Sequence, residues 1–272
     1  MNASARRTVT ETERVTGRYK GDCVMMKVQN SSGNFRIDGP QLNGQIAGRA
    51  PPTDPRVSTY SLARAIEEMG AAMVFSRDAE IYRENSPASY LYKVVSGAVR
   101  TFKALSNGRR QIRAFYLPGD IFGVETGPEH AFCAEAITDA KVLVIEWKAV
   151  LALAAQDNDI AGQLWSLTSR ELKHAQNHVL LLIQSAQERV VGFLLEMADR
   201  VPAGDAVELP MPRQDIADYL GLTIETVSRM MTHLEKRAAI ALPTSRRVVL
   251  RSRSGLNQTN AESGVPLCLI TS

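Results

Sequence analysis

The pattern of hydrophobic and polar positions changes character along the chain, and each change marks a different kind of secondary structure. From residue 73 to residue 146, short apolar runs alternate with turn residues, which is typical of strands in a β-sandwich or jelly roll. A short helix, Ser58–Met69, precedes this region. The predicted strands are Met73–Phe75, Glu80–Tyr82, Leu91–Val95, Ala98–Ala104, Gln111–Leu117, Phe132–Ile137 and Lys141–Ile145.

After Trp147 the apolar residues recur at the spacing of a helix. A long helix is predicted from Asp157 to about Ser185, because this stretch contains no proline and carries stripes at steps of three and four. A second apolar line runs through Leu172, Ala175, Val179, Leu182 and Ala186. Two buried faces require two partners, so we expect the chain's own β-domain on one face and a second copy of the chain on the other. The stripe that we assign to the dimer interface is Ile160, Leu164, Leu167, Glu171, His174, His178 and Leu181.

A helix at Gln187–Val201 leads into a segment with the pattern of a helix-turn-helix. Residues 213–220 predict a short first helix, and Gly221 suits the left-handed residue that ends it. Thr223 then caps a second helix. Two helices joined by a glycine turn within about 20 residues are typical of DNA-binding proteins.

The two faces of this second helix separate by residue type. Val227, Met231 and Leu234 form an apolar face, and the opposite face carries Glu225, Ser228, Arg229 and Thr232. A carboxylate can accept a hydrogen bond from cytosine N4, and a guanidinium can donate to guanine O6 and N7. We therefore predict that Glu225, Ser228 and Arg229 contact bases in the major groove. The alternative is that Glu225 and Arg229, one turn apart, form a routine surface ion pair.

Two short apolar strands then flank a basic turn, which predicts a β-hairpin wing over residues 239–250. Side chains around the helix-turn-helix and the wing are candidates for contacts with the DNA backbone, which add affinity but little sequence information. These candidates are Arg213, Thr223, Thr226, Arg246 and Arg247, and the alternative for each arginine is simple solvation.

Composition and cysteine usage narrow the setting. The 272 residues suffice for two domains, and the net charge of +3 neither requires nor excludes a nucleic-acid partner. No signal peptide is recognisable, and no run approaches the roughly 18 apolar residues that a membrane span needs. Three scattered cysteines, Cys23, Cys133 and Cys268, suit neither a disulfide framework nor a zinc site. We therefore expect a cytoplasmic protein without a membrane partner or a metal.

Several motifs together resemble the CRP/FNR family of bacterial transcription regulators. Residues 118–123 (PGDIFG) followed by 134–136 (AEA) are similar to its sensor roll, and residues 221–229 (GLTIETVSR) to the recognition segment of its FNR and FixK branches. Residues 188–198 (ERVVGFLLEMA) resemble FixK-type proteins in particular. The resemblance covers about residues 58–251.

The resemblance implies an α+β fold: an N-terminal β jelly roll of the cyclic-nucleotide-binding type, a long dimerisation helix and a C-terminal winged helix-turn-helix. We accordingly divide the chain into 1–55, a mobile extension or a start assigned too far upstream; 56–155, a sensor-like β-roll; 156–186, the dimerisation helix; 187–251, the DNA-binding domain; and 252–272, a tail.

For function, the resemblance implies a homodimer on a palindrome with TTGA-type half-sites in double-stranded DNA. By analogy, Arg229 contacts the guanine, Glu225 the opposite cytosine, and Ser228 lies near a thymine. FixK-type proteins usually activate genes of microaerobic respiration or nitrogen fixation, so RNA polymerase is an expected partner. Residues 106–110 form a candidate surface loop for it.

The sensors used in this family can be compared with the residues present. Three cysteines cannot supply a four-cysteine iron–sulfur cluster from one chain. A cyclic nucleotide is disfavoured because His130-Ala131 stands where the family has Arg-Ser, and Asp120 replaces the usual Glu. His130, His174 and His178 are conceivable haem or metal ligands, but polar interface residues are the simpler interpretation.

Two further alternatives concern Cys133 and the class of protein. Cys133 is expected to be a buried, inert thiol, although oxidation is the alternative. We favour a regulator without cofactor or effector, with a ligand-gated regulator as the alternative. The sequence contains no nucleophile elbow, P-loop or HExxH motif, so we expect no enzymatic activity; the alternative is the regulatory domain of an enzyme.

Overall fold

Two four-stranded antiparallel sheets form the β-rich half of the molecule. The computed structural model describes residues 61–125, 127–200, 206–251 and 256. Helix α1 (Leu62–Met69) precedes β1 (Ala71–Phe75), β2 (Glu80–Tyr82), β3 (Tyr90–Ser96), β4 (Val99–Ala104), β5 (Arg110–Tyr116), β6 (Ile121–Phe122), β7 (Cys133–Ala136) and β8 (Ala140–Glu146). The strand orders are β1-β8-β3-β6 and β2-β7-β4-β5. The predicted β-roll is confirmed.

Alternating side chains of the two sheets meet in a common core. Val94 and Val142 face each other across the β3–β8 pair and pack against Val99, Ala134 and Ala136 of the other sheet. All five are fully buried, as expected where one face of each sheet turns inward. At the β3–β4 turn Gly97 has φ 81°, and a Cβ there would lie 2.3 Å from the carbonyl oxygen of Asp139. Only glycine fits this position.

Three helices follow the roll. Helix α2 (Trp147–Gln156) is separate from α3 (Asn158–Leu182), and α4 (Ala186–Arg200) comes next. Asp157 caps α3, because its side chain accepts hydrogen bonds from the N–H groups of Asp159 and Ile160 at 2.8 and 3.4 Å. The predicted long helix is thus confirmed to within a few residues. The break between α2 and α3 was not foreseen.

The C-terminal part is a winged helix-turn-helix. It consists of α5 (Arg213–Leu220), α6 (Ile224–Lys236) and a three-stranded sheet in the order β10 (Ile240–Ala241), β11 (Arg247–Leu250), β9 (Ala206–Glu208). The hairpin of β10 and β11 is the predicted wing, and β9 adds an unforeseen third strand. Phe102, Ile112 and Phe115 of the roll share one hydrophobic cluster with Phe193 and Tyr219. The roll and the C-terminal domain therefore share one continuous hydrophobic core.

Several expectations lie outside the described residues. They are the extension over residues 1–55, the first residues of the helix predicted from Ser58, nearly all of the tail, and Cys23 and Cys268. Among the residues described, no helix combines the length and apolar character that a membrane crossing requires. Within the same residues, no group of three or more His, Cys, Asp or Glu side chains is placed to hold a metal ion.

Candidate nucleic-acid interface

The turn between α5 and α6 has the geometry that the sequence predicted. Gly221 ends α5 in the left-handed conformation, with φ 63° and ψ 35°, and its N–H donates to the carbonyl of Ala217. The N–H of Leu222 donates to the same oxygen at 3.0 Å. Thr223 caps α6, because its Oγ1 accepts from the N–H of Thr226 at 3.2 Å. A glycine and a threonine thus fix where the second helix begins.

The inner face of α6 anchors this helix to the domain. Val227, Met231 and Leu234 are buried to 1% exposure or less and join a cluster that includes Ile216 and Leu220 of α5. The predicted core face is confirmed. Burial of three such side chains contributes about 1.5–3 kcal/mol each. Because the anchoring is apolar and rigid, the polar face opposite it is held in a fixed orientation.

The outer face presents the predicted base-contacting set to solvent. Glu225, Ser228 and Arg229 are all exposed. In the described part of the chain no ion pair joins Glu225 to Arg229; instead Arg229 Nη2 donates to Thr226 Oγ1 at 3.4 Å. The pKa of Glu225 is lowered, first by its own backbone N–H and then by the Thr223 hydroxyl. The Glu225 carboxylate is therefore charged, and both it and the Arg229 side chain are exposed to solvent, as groove recognition requires.

The candidates for backbone contacts differ in how available they are. Arg247 is exposed and lies 3.4 Å from Glu208, whereas Arg246 is half-buried. Arg213 is half-buried at the start of α5. Its Nη1 is buried without a hydrogen-bond partner among the described residues, and burial lowers its pKa. A buried donor without a partner costs about 1–3 kcal/mol. Because this nitrogen is buried, Arg213 is less available for a backbone contact than Arg247. Thr223 and Thr226 are occupied in the cap.

The stripe assigned to the dimer interface faces the chain's own domains, which corrects that assignment. Ile160 and Leu167 are buried against α1 and α2, and Leu164 packs beside them. The polar members of the stripe form hydrogen bonds within the chain, each to a residue distant in sequence. Glu171 Oε2 accepts from Arg113 at 3.1 Å, His174 Nε2 is 3.0 Å from Glu196 Oε1, and His178 Nε2 is 2.8 Å from the carbonyl oxygen of Tyr219. Leu181 packs against the DNA-binding domain.

The opposite face of α3 carries large apolar side chains without contacts that bury them. Trp165, Leu172, Val179 and Ile183 are 76%, 60%, 63% and 78% exposed. The first three lie seven residues apart, and Ile183 follows four residues later, which is the spacing of a coiled-coil seam. The second apolar line predicted from the sequence contained Leu172 and Val179 but missed Trp165 and Ile183.

Aromatic rings pack together in the interior of the roll. The ring of His130 stacks on Tyr82 with centroids 3.6 Å apart, and Phe122 lies 5.1 Å from Tyr92 and 5.0 Å from Tyr116. His130 is 1% exposed, and burial lowers its pKa despite the Glu125 carboxylate 3.5 Å from Nδ1. A stacked, buried imidazole is poorly placed to meet a phosphate.

Two other residues considered for sensing also have partners within the chain. Asp120 Oδ2 accepts from the N–H of Leu117 at 2.6 Å and pairs with Arg200 of α4. Cys133 is half-buried, and its Sγ accepts from the N–H of Glu84 at 3.3 Å. The expectation of a buried thiol is wrong in this respect, because Cys133 is only half-buried at the edge of the hydrophobic cluster.

Sequence reasoning missed the polar contacts between the roll and α5. Arg100 Nη1 donates to Asp215 Oδ2 at 2.7 Å, and Arg110 Nη2 donates to Asp215 Oδ1 at 3.1 Å and to Asp218 Oδ2 at 3.3 Å. Two acids among the apolar residues of one short helix were the available signal. Their partners lie more than 100 residues earlier, and no local pattern points to them.

Comparison with known proteins gives matches over both halves of this architecture. Residues 72–157 match the cyclic nucleotide-binding domain family, and residues 188–259 match the Crp-like helix-turn-helix domain family. The nitrogen fixation regulation protein FixK of Azorhizobium caulinodans is 47% identical over 205 residues, which cover 73% of this chain and 83% of that protein. FixK of Rhizobium meliloti is 40% identical, with 74% and 86% covered.

A solved structure is also similar over most of the described residues. FixK2 from Bradyrhizobium japonicum superposes with a TM-score of 0.68 at 46% sequence identity, covering 70% of this chain and 96% of that one.

Proposed function

The chain belongs to the CRP/FNR family of transcription regulators, in its FixK-type branch, and we propose that it acts as a homodimer on palindromic DNA with TTGA-type half-sites. The observation that carries the proposal is the outer face of α6. Glu225, Ser228 and Arg229 are exposed and charged or polar, while the inner face of the same helix is buried. Such a helix fits the major groove and presents groups that distinguish base pairs.

The proposed dimer uses the seam of Trp165, Leu172, Val179 and Ile183. A run of exposed large apolar side chains on one face marks an interaction surface. Because the residues recur at seven and four, two copies of α3 can pack side by side along them. Two recognition helices would then enter successive major grooves about one helical turn apart.

We further propose that DNA binding needs no small-molecule effector. The support is the aromatic packing inside the roll, where His130 stacks on Tyr82 and Asp120 is paired with Arg200. His130, which stands where the family resemblance places a contact to a cyclic nucleotide, is thus engaged within this chain, as is Asp120. A ligand-gated regulator is the competing function, and it predicts that DNA affinity rises when haem or a cyclic nucleotide is added.

The biological role that we propose is activation of genes for nitrogen fixation or microaerobic respiration in the cytoplasm. The names of the FixK relatives, which are nitrogen fixation regulation proteins, support the role in nitrogen fixation. Relatives that are transcription regulators also support a regulatory rather than an enzymatic role. The exposed β4–β5 turn, which includes Ser106 and Asn107, is the proposed surface for RNA polymerase. Arg110, at its end, is already bound to Asp215 and Asp218.

The test is a fluorescence anisotropy titration without effector. The probe is a TTGAT-N4-ATCAA duplex, the control is a scrambled duplex of equal length, and the salt concentration is fixed because phosphate contacts make affinity salt-dependent. Tight binding to the palindrome alone supports the proposal. Equal affinity for both duplexes, unchanged by haem, by cyclic nucleotides and by thiol reduction, contradicts it.

A further inference from the structure

The first helix of the helix-turn-helix is enclosed to an unusual degree. Every residue from Asp215 to Leu220 is buried, and this run contains two carboxylates. Asp215 is 1% exposed. Carboxylates are almost never fully buried unless they are paired, so the groups that pair with them determine where α5 can lie.

The partners of these carboxylates come from two adjacent strands of the roll. Arg100 of β4 is buried and donates from Nη1 to one oxygen of Asp215 at 2.7 Å; Arg110 of β5 donates to the other oxygen at 3.1 Å. The fork of Arg100 also reaches Glu135 at 2.7 Å and Asp78 at 3.2 Å. These two acids belong to the roll, and they anchor the guanidinium on the roll side.

The contact is rigid for reasons of both charge and geometry. Burial by itself disfavours a charged Arg100, but the hydrogen bonds and charges of Glu135 and Asp215 outweigh it and raise its pKa. Arg100 is therefore permanently charged. A planar guanidinium that binds the carboxylates of Asp215, Glu135 and Asp78 in fixed directions allows less freedom than an ammonium does.

Helix α5 transmits this placement to the recognition helix. Ile216, Ala217 and Leu220 pack in one cluster with Val227 and Met231 of α6, so the placement of α5 also places α6. The angle of α6 relative to the roll is consequently set where α5 meets β4 and β5. In a dimer joined through α3, the same contact sets the separation of the two recognition helices.

We propose that Arg100 is a positioning residue for DNA recognition: by holding Asp215 it fixes the distance between the two α6 helices and so selects the spacing between half-sites. This inference rests on the proposed dimer and palindrome. It assigns to a roll residue, remote from DNA, a specificity that Glu225, Ser228 and Arg229 do not provide, because those residues read bases within one half-site.

The experiment compares wild type, Arg100→Lys and Lys103→Gln on palindromes with spacers of 3, 4 and 5 base pairs. Arg100→Lys keeps the charge but loses the fork. Lys103 is the control, because it lies on the same strand and pairs with Glu84 in the roll rather than with α5. We expect Arg100→Lys to reduce the preference for the best spacer by a factor of about 2 to 30, the range for residues that couple two parts of a protein. Base preference within a half-site is expected to stay unchanged.

Other outcomes overturn the proposal. An equal loss of affinity on all spacers would make Arg100 merely structural, and an unchanged spacer preference would remove any role for it. If wild type does not prefer the palindrome to a scrambled duplex, the proposed function fails instead. That failure is separate, because wild type alone reveals it.

Hydrogen exchange provides a readout that does not depend on DNA. Arg100→Lys should raise exchange over residues 213–236 and leave β1 and β8 protected. An equal rise in the roll strands would indicate general destabilisation and contradict the positioning role. If Arg100→Lys does not fold, Arg110→Gln is the second variant, since Arg110 is partly exposed and binds the other oxygen of Asp215. Spacer preference and hydrogen exchange over residues 213–236 are then measured for Arg110→Gln, with the same outcomes supporting or contradicting the proposal.

Discussion

His178 of α3 lies flat on the ring of Tyr219 of α5, with ring centroids 4.1 Å apart and 10° between the planes. Its Nε2 is 2.8 Å from the backbone carbonyl oxygen of Tyr219. Because a carbonyl only accepts, Nε2 donates. Burial is the main reason that the pKa of His178 is lowered from 6.5, with the charge of His174 adding to it. A neutral imidazole therefore connects the central helix to the DNA-binding domain.

This contact predicts that acid weakens the fold. The folded state binds a proton at His178 less readily than the unfolded state does, so the unfolded state holds more protons once the pH falls below 6.5. The free energy of unfolding should be constant above that pH and decrease below it. Urea unfolding between about pH 7.5 and pH 5.5 measures this. His178→Gln, whose amide can still donate to Tyr219, should reduce the decrease.

His130 contributes with the same sign, since burial lowers its pKa too. The free energy of unfolding of His178→Gln should thus still decrease in acid. The decrease should be smaller again in a double variant that also carries His130→Gln. A stability that rises on acidification would contradict this account.

Removing the guanidinium of Arg229 should relax recognition at one base position. We expect Arg229→Ala to lose about 1–3 kcal/mol of discrimination there while other positions keep theirs. Competition titrations with single-base variants of the palindrome measure this. The control is Arg247→Ala on the wing, which should weaken all duplexes alike and lower the salt slope by about 1. An even loss for Arg229→Ala would make it a phosphate contact.

Charge on the exposed seam of α3 should dissociate the proposed dimer. Leu172→Glu combined with Val179→Glu should give monomers by light scattering, because two like charges would face their copies at the seam. Palindrome affinity should drop accordingly. Leu167→Ala on the inner face is the control, and it should cost about 2–5 kcal/mol of stability without changing the molecular mass. Dimers of unchanged mass in the glutamate variant would refute the seam.

A side chain at the helix-turn-helix glycine should cost stability through the backbone alone. A Cβ at Gly221 would lie 3.6 Å from Arg189 Nη1 and from Leu182 Cδ2, which is ordinary contact. The left-handed backbone is the strained part, so Gly221→Ala should lower the free energy of unfolding by about 1–2 kcal/mol. Gly221→Asn should lose less, since asparagine tolerates this conformation. Urea unfolding measures both, and equal losses would point to crowding.

Local sequence patterns predicted the elements whose signals are contained within a few residues. Strand β2 and helix α5 begin and end where the alternation and the glycine indicated, and the cap at Thr223 needs only the residues that follow it. Strands of two or three residues show too little of a period to be predicted consistently, so β2 was predicted whereas β6 and β9 were missed.

The faces of α3 show why the remainder could not be predicted. The helical spacing of this segment correctly predicted two stripes on α3, but a stripe does not reveal which surface packs against it. Glu171, His174 and His178 looked like interface residues because their partners, Arg113 and Glu196 among them, lie 20 to 60 residues away in sequence. The exposure of Glu225, Ser228 and Arg229 was predictable because it follows from the helical period of α6 alone and needs no distant partner.

The enclosure of α5 by the roll also determines how the protein can be divided. Residues 188–259 match a DNA-binding family, yet Phe102, Ile112 and Phe115 of the roll cover the apolar side of that segment. An excised segment would expose this surface and lose both arginines that hold Asp215. We therefore expect the unit that folds to be larger than the helix-turn-helix segment, and a graft of this segment onto another protein should include strands β4 and β5.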